Sequence, residues 1–162
     1  MENWDELYGL QRQLDEGILE THSLTRESVL DDKILALLVE IGELANETRC
    51  FKYWSHKGPS ESSVILEEFV DGIHFLLSLG LDYGYRFNGE TDENSGLNQT
   101  DQFHQVYDRI NRFKQNPTNI HYQQLFKSYM KLGQLLNFKE KDIFKAYLDK
   151  NKVNHERQQT GY

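Results

Sequence analysis

The feature that most constrains this chain is a pair of apolar helical stretches that each carry two acids. In the stretch Val-Glu-Ile-Gly-Glu, Glu40 and Glu43 are three residues apart, and in Glu-Glu-Phe-Val-Asp the acids Glu68 and Asp71 have the same spacing. Residues three apart lie on the same side of a helix. If the two helices pack together, four carboxylates converge between them.

Apolar residues surround these acids on more than one helix face. At about 100° per residue, Val39 lies on the acid side of the first stretch, and Phe75 and Leu79 continue the acid side of the second. A helix that is apolar all round is buried, and charged residues are rarely buried without a partner. The alternatives are a solvated acidic face and a shared metal site, and the pattern favours the metal site.

Helical periodicity also runs through the rest of the chain, which shows no strand alternation of any length. We predict helices at about 3–20, from 27 or 31 to 49, then 62–85, 103–116, 121–136 and 140–151. The breaker Gly58-Pro59 separates the acidic helices, with Ser62 or Ser63 as the N-cap of the second, and so short a connection predicts antiparallel packing. The predicted fold class is an all-α helical bundle, one domain over residues 1–162, with a mobile polar connection near 86–101.

Size and charge narrow the functional classes. A chain of 162 residues suits one domain or one subunit of an oligomer. The net charge of -8 argues against a broad surface for nucleic acid. The single Cys50 excludes an intramolecular disulfide and suits a reducing compartment. No signal peptide and no apolar run of about 18 residues is present, so we expect a soluble cytoplasmic protein without membrane or nucleic-acid partners.

Two further polar sets share helix faces. Gln11 and Asp15 are four apart on the first helix and are either solvated side chains or ligand contacts. Lys150, Asn154 and Arg157 lie on one face if the last helix continues. Such a basic ending binds phosphate, complements the helix dipole or is a disordered terminus.

The chemistry of the acidic cluster indicates a hard cation. Oxygen ligands, with only His74 nearby, favour Mg²⁺ or Mn²⁺. Four carboxylates suit two or more ions that share a phosphate chain. Such a site can polarise a phosphoryl group, activate a water and stabilise the leaving oxygen. Trp54 follows the first acidic helix and is either a core aromatic or the flank of a flat ligand.

The acid motif resembles that of the all-α nucleoside triphosphate pyrophosphatases, which include the MazG-like enzymes and the dimeric dUTPases. The ending Lys150-Asn151-x-x-Asn154-x-x-Arg157-Gln158-x-x-Gly161-Tyr162 is similar to the phosphate-binding tail of the dimeric dUTPases. Leu10-Gln11-x-x-Leu14-Asp15 resembles their base-recognition segment, and Lys52-x-Trp54 and His74-Phe75 match as well. The resemblance covers most of the chain outside about 84–120.

This resemblance implies a four-helix catalytic core and Mg²⁺-dependent hydrolysis of dUTP, with dUDP as a possible substrate, to dUMP in a homodimer. It assigns the metal to Glu40, Glu43, Glu68 and Asp71, with Glu43 orienting or deprotonating the attacking water. The substrate-binding residues it implies are Gln11, Asp15, Lys52, Trp54, His74, Lys150, Asn154, Arg157 and Tyr162.

Three alternatives stay open. The family often has Asn where this chain has Asp15, and a carboxylate accepts equally from uracil N3–H or the cytosine amine, so dCTP or a broader nucleotide range is the alternative substrate. A di-metal oxidase needs Glu-x-x-His on each of two helices, whereas the acidic helices of this chain offer only Asp71-x-x-His74 in that position. A non-catalytic helical binding protein is the third reading.

Overall fold

The computed structural model describes residues 3–91 and 96–161, and these residues form α-helices and no strand. The helices are α1 Trp4–Thr21, α2 Leu30–Thr48, α3 Ser62–Tyr83, α4 Gln99–Gln115, α5 Asn119–Leu135 and α6 Glu140–Gln159. One turn of 3-10 helix, Glu27–Val29, leads into α2. The predicted all-α fold class is confirmed. Within the described ranges, no helix combines the length and the apolar character that crossing a membrane requires.

Helix α3 is the centre of the bundle. It packs against α1, α2 and α6 and touches α5. Helices α4 and α5 pair with each other, and α4 also reaches α2. The molecule is therefore a core of α1, α2, α3 and α6 with an α4–α5 hairpin on one side, and the acid motifs lie on the two core helices α2 and α3.

Two glycines of α3 let tyrosines of α5 approach its backbone. Tyr129 donates to the Phe69 carbonyl at 2.6 Å, and Tyr122 donates to the Leu76 carbonyl at 2.8 Å. A Cβ added at Gly72 would overlap the Tyr129 hydroxyl. Each buried tyrosine thus supplies apolar surface and a satisfied polar end, and this contact fixes α5 behind the acid-bearing helix.

Two predicted boundaries are wrong. Helix α6 continues to Gln159 rather than ending near Asn151. The apolar pattern stops earlier than the helix because polar residues that line a cavity follow the last buried position. Helix α3 begins at Ser62 with Glu61 in the N-cap position and no side-chain cap. Ser62 and Ser63 are already helical because the Glu61 carbonyl accepts the first bond, from the Ile65 N–H at 3.1 Å.

The connection between α3 and α4 runs from Gly84 to Asn98 rather than over the predicted 86–101, and it is not polar throughout. Phe87 is buried and stacks on Phe126 at a centroid distance of 4.2 Å, and α4 already begins at Gln99. Residues 92–95 of the predicted connection lie outside the described residues, and its mobility stays a prediction.

The second apolar face of α2 is not covered by this chain. Leu35 is 61% exposed and Val39 is 50% exposed, so the expectation that α2 is buried on more than one face is wrong for a single chain. Helix α3 behaves as expected in its second half, where Leu79 is fully buried.

Candidate active site

The acids meet where α2 packs on α3. Glu40, Glu68 and Asp71 each offer one carboxylate oxygen, and these oxygens all lie within 4.8 Å of one another. Glu43 is exposed, and it lies close enough to help raise the pKa of both Glu40 and Glu68. The three-residue spacing in each helix therefore brings all four acids to one place.

Burial and mutual repulsion disfavour the charged form of these acids. Burial is the largest cause, and repulsion from Asp71 the next; together with the other acids they raise the pKa of Glu40 to about 8 and that of Glu68 to about 7. Burial also raises the pKa of Asp71, although Lys150 opposes that shift. The cluster is thus a set of like charges with one cationic side chain beside it.

The donor set fits a divalent cation. Glu40 Oε2 and Glu68 Oε2 are buried and have no hydrogen-bond partner in the part of the chain that the structure describes. A buried polar atom without a partner carries a desolvation cost. Carboxylate oxygens are the ligands that Mg²⁺ and Mn²⁺ prefer, and a bound cation would give these two oxygens their missing partner.

A cavity of about 460 Å³ opens beside the acids, within the size range of small-molecule sites. Its walls come from α1, α2, α3 and α6 and from the segment that precedes α2. It brings together most of the predicted site residues, namely Gln11, Asp15, Glu40, Asp71, His74, Lys150, Asn154 and Arg157. Glu43 and Glu68 adjoin Glu40 rather than line the cavity.

At the end of the cavity away from the acidic cluster, Asp15 is buried and hydrogen-bonded through both oxygens. Gln11 Nε2 donates to Asp15 Oδ1 at 2.9 Å, and Ser78 Oγ donates to Oδ2 at 2.6 Å. Arg26 Nη1 lies 3.5 Å from the same Oδ2. Asp15 is therefore neither solvated nor isolated.

The amide oxygen of Gln11 continues this network. It accepts from the Tyr147 hydroxyl at 2.9 Å and lies 2.6 Å from His74 Nδ1. The His74 ring stacks on Tyr147 with the ring centroids 4.3 Å apart. Burial lowers the pKa of His74 to about 3, so the imidazole is neutral at physiological pH. Nε2 of this ring is buried and has no partner among the described residues.

Lys150 connects the acids with the polar face of α6. Its Nζ lies 2.9 Å from Glu67 Oε1 and 3.4 Å from Asp71 Oδ1, and its side chain is only 11% exposed. Asn154 and Arg157 follow on the same face and line the same cavity. The longer α6 is what carries them there.

The structure does not bring Lys52 and Trp54 to the cavity of this chain. Helix α2 ends at Thr48, and its C-cap residue Arg49 adopts a left-handed φ of 59° that turns the chain away. Trp54 is 64% exposed and packs edge-on to Phe51 at 6.0 Å, so its reading as a core aromatic is wrong. Tyr162 lies outside the described residues.

Four residues of the site escaped the sequence reading. Ser78 and Tyr147 bond to the Asp15–Gln11 pair, and Arg26 joins Asp15 to the buried Asp82. Ser78 had a signal, because it lies seven residues after Asp71 on the same face of α3. Tyr147 read only as an apolar position, and the Arg26–Asp82 pair spans a separation of 56 residues that no local pattern reveals.

Comparison with known protein families gives a match over nearly the whole chain. The family model described as dUTPase matches residues 3–162, which is nearly the whole chain. A search of curated proteins finds no match. The family match agrees with the helical fold and with the acids placed at the α2–α3 contact. The chain therefore belongs to the all-α dUTPase family, and it is a dUTP diphosphatase.

Proposed function

We propose that the protein hydrolyses dUTP to dUMP and pyrophosphate with Mg²⁺ bound by Glu40, Glu43, Glu68 and Asp71. The observation that supports this proposal is a cavity that joins Glu40 and Asp71 of the acidic cluster to a basic helix face and to a polar network. A nucleoside triphosphate with its metal ion matches this division, because it has a polar base and sugar at one end and a negatively charged phosphate chain at the other. Mn²⁺ is the expected substitute, and two or more ions suit four carboxylates.

The cation supplies charge neutralisation and polarisation of the phosphoryl group when it is bound. Among the protein's own groups, Glu43 is the proposed base. It is the exposed member of the cluster and lies beside Glu40 and Glu68. It can therefore orient a solvent water and accept its proton as the water attacks phosphorus and the pyrophosphate leaves.

We assign the phosphate chain to α6. Lys150 already pairs with Asp71 at 3.4 Å, so its ammonium lies where the acids and the cavity meet. Asn154 and Arg157 line the cavity farther along the same helix, and cations suit phosphate oxygens. Tyr162 is proposed to join them from the chain end.

We assign the nucleoside to the other end of the cavity. Gln11 keeps a second amide hydrogen and Asp15 keeps free acceptor capacity, and both line the wall with His74. One donor beside one acceptor complements O4 and N3–H of uracil. The same pair also complements N3 and the amine of cytosine, so dCTP remains the competing substrate.

The direct test is pyrophosphate release from dUTP, dCTP and dTTP, each with Mg²⁺ and with a chelator. Orthophosphate release from dUDP is measured beside it. We expect dUTP to be preferred and all activity to require the cation. Equal turnover of dCTP would contradict the uracil assignment, and full activity in chelator would contradict the metal assignment.

We also propose that the protein is a homodimer in the reducing cytoplasm. Leu35 and Val39 lie four apart on the uncovered face of α2, and Trp54 and Tyr53 are exposed at the end of that helix. Solvent-exposed apolar side chains in such numbers are typical of an interface. A second copy would cover them and provide a place for Lys52 and Trp54 near a partner's cavity. Light scattering should give twice the mass of one chain for the wild type, and the mass of a single chain for Val39→Glu.

A further inference from the structure

The hydrogen bonds at the Asp15 end of the cavity have a fixed direction. Ser78 can donate its hydroxyl proton to Asp15, and Arg26 can only donate. A carboxylate only accepts. The contact of 2.9 Å between Asp15 Oδ1 and Gln11 therefore requires the amide nitrogen of Gln11 to face Asp15, since the opposite orientation would set two acceptors against each other.

This orientation turns the carbonyl oxygen of Gln11 toward α3 and α6. The Tyr147 hydroxyl can donate to that oxygen, but His74 Nδ1, at 2.6 Å, must donate to it as well. A neutral imidazole carries one ring proton, and burial keeps His74 neutral. The proton therefore lies on Nδ1, and Nε2 carries a lone pair.

That lone pair is unused. His74 Nε2 is buried and has no hydrogen-bond partner in the described part of the chain, and the His74 side chain is a wall of the cavity. An unpaired buried acceptor has a desolvation cost, which a hydrogen-bond donor from a bound molecule would offset.

We propose that Asp15 is a positioning residue which, through the amide of Gln11, holds His74 in the Nδ1–H tautomer so that Nε2 accepts an N–H or O–H of the bound nucleotide. The identity of the ligand rests on the proposed function, whereas the tautomer does not. For a deoxyuridine nucleotide the donor is either the 3′-hydroxyl of the sugar or N3–H of the base, which would then bond to His74 in place of Asp15.

The first test is the ¹⁵N spectrum of the histidine rings in the metal-free protein without substrate. Among the six histidines, the His74 signals are assigned by their loss in His74→Gln. We expect Nδ1 at the position of a protonated nitrogen and Nε2 at that of a lone-pair nitrogen. A wild-type spectrum with the proton on Nε2 would overturn the proposal, whatever the enzyme hydrolyses.

The second test removes the two upstream members of the chain of bonds. In Asp15→Asn the new amide no longer dictates the orientation of Gln11, and in Gln11→Met the acceptor for Nδ1–H is gone. We expect both variants to shift His74 toward the Nε2–H tautomer, and a wild-type tautomer in either folded variant would refute the relay. Glu16→Gln, an exposed acid beside Asp15 on α1, is the control that leaves the spectrum unchanged.

Kinetics separate positioning from mere folding. We expect Asp15→Asn to raise KM for dUTP by about 10- to 100-fold, the loss expected when a buried hydrogen-bonding group is left without its partner, with kcat close to wild type because only uniform binding is lost. A fall in kcat at unchanged KM would contradict the assignment. Loss of dUTP hydrolysis by the wild type with the tautomer intact would remove only the proposed function.

Titration with dUMP and two analogues identifies the donor. We expect dUMP to move the His74 Nε2 signal in the direction of an accepted hydrogen bond. The 3-methyl analogue lacks the base N–H, and the 2′,3′-dideoxy analogue lacks the sugar hydroxyl, so the analogue that fails to move the signal names the donor. No movement with saturating dUMP, or equal movement with both analogues, would overturn the acceptor role of Nε2.

Discussion

The two ends of the cavity treat their carboxylates in opposite ways. At the acidic cluster, Glu40 and Glu68 each bury an oxygen that has no partner among residues 3–91 and 96–161. At the far end, both oxygens of Asp15 are bonded, and Asp82 behind it pairs with Arg26 at 2.8 Å and Lys33 at 2.6 Å. Buried carboxylate oxygens thus lack partners within the described residues at one end, and have hydrogen-bond or ion-pair partners at the other.

This difference teaches which part of the site needs an external component. The Asp15 carboxylate finds its hydrogen-bond partners within one chain, so it can orient the neighbouring side chains before any ligand arrives. The acidic cluster is complete only with a cation, because burial and mutual repulsion raise the pKa of Glu40, Glu68 and Asp71 in the free protein. We therefore expect that neutralising an acid leaves stability unchanged or raises it at the acidic cluster, and lowers stability at the far end.

The largest effect is expected at the acidic cluster. Glu68→Gln and Asp71→Asn should lower kcat/KM by roughly 10³-fold or more, since a catalytic cation supplies several kcal/mol at 1.36 kcal/mol per tenfold. In chelator their thermal stability should equal or exceed that of wild type, because each variant relieves repulsion. Glu61→Gln, an exposed acid at the start of α3, is the control for pyrophosphate release. Strong destabilisation by both variants would contradict a frustrated cluster.

Asp82 is expected to behave in the opposite way. Its side chain is only 2% exposed, and Asp82→Asn leaves Arg26 and Lys33 without their carboxylate. Breaking a buried ion pair on one side costs about 3 kcal/mol, which urea unfolding measures. Asp108→Asn is the matched control, since its pair with Arg112 at 3.0 Å is about half exposed on both sides and should cost less than about 1 kcal/mol. An equal loss of unfolding free energy in Asp82→Asn and Asp108→Asn would contradict a stabilising role for the buried pair.

Lys150 stands between the two ends and should affect binding. Lys150→Met keeps most of the side-chain volume but removes the ammonium that faces Asp71. Losing one charge-assisted hydrogen bond to a phosphate raises KM by about 10- to 100-fold. Lys152→Met, an exposed neighbour on α6, should leave KM unchanged in the same steady-state assay. An unchanged KM in Lys150→Met would show that this ammonium does not hold phosphate.

The fourth expected effect is a pH dependence of stability. The folded-state pKa values of Glu40 and Glu68 are raised to about 8 and about 7 from the ordinary 4.5. The folded protein then binds more protons than the unfolded chain, so its stability falls as pH rises from about 5 to 8. Melting in chelator should show this fall, and saturating Mg²⁺ should flatten it because a cation favours the charged acids. A slope that persists in Glu40→Gln and Glu68→Gln would contradict this origin.

The sequence was sufficient for the acids because their signal is local. Glu68 and Asp71 share one helix face with apolar neighbours, and that periodicity alone predicts a buried acidic pair. The same reasoning placed Lys150 and Arg157 on one face of α6, although the length of α6 was underestimated. Patterns within one helix therefore transferred well to the structure.

The sequence failed where position depends on a turn or on distant contacts. The left-handed φ of 59° at Arg49 carries Trp54 out of the core, and nothing in the residue type announces it. Likewise, the partners of Asp15 come from other elements, such as Ser78 63 residues away. The exposed face of α2 shows a third limit, because an apolar pattern does not tell whether the cover comes from the same chain.

Titration calorimetry with Mn²⁺ tests whether the acids at the α2–α3 contact hold the cation. The experiment compares wild type, Glu68→Gln and Glu61→Gln in buffers of different ionisation enthalpy. We expect wild type and Glu61→Gln to bind the ion and to release protons near pH 7, because acids with a raised pKa must ionise to become ligands. Glu68→Gln should bind far more weakly and release fewer protons. Equal affinity and equal proton release in all three proteins would show that the cation is not held by these acids.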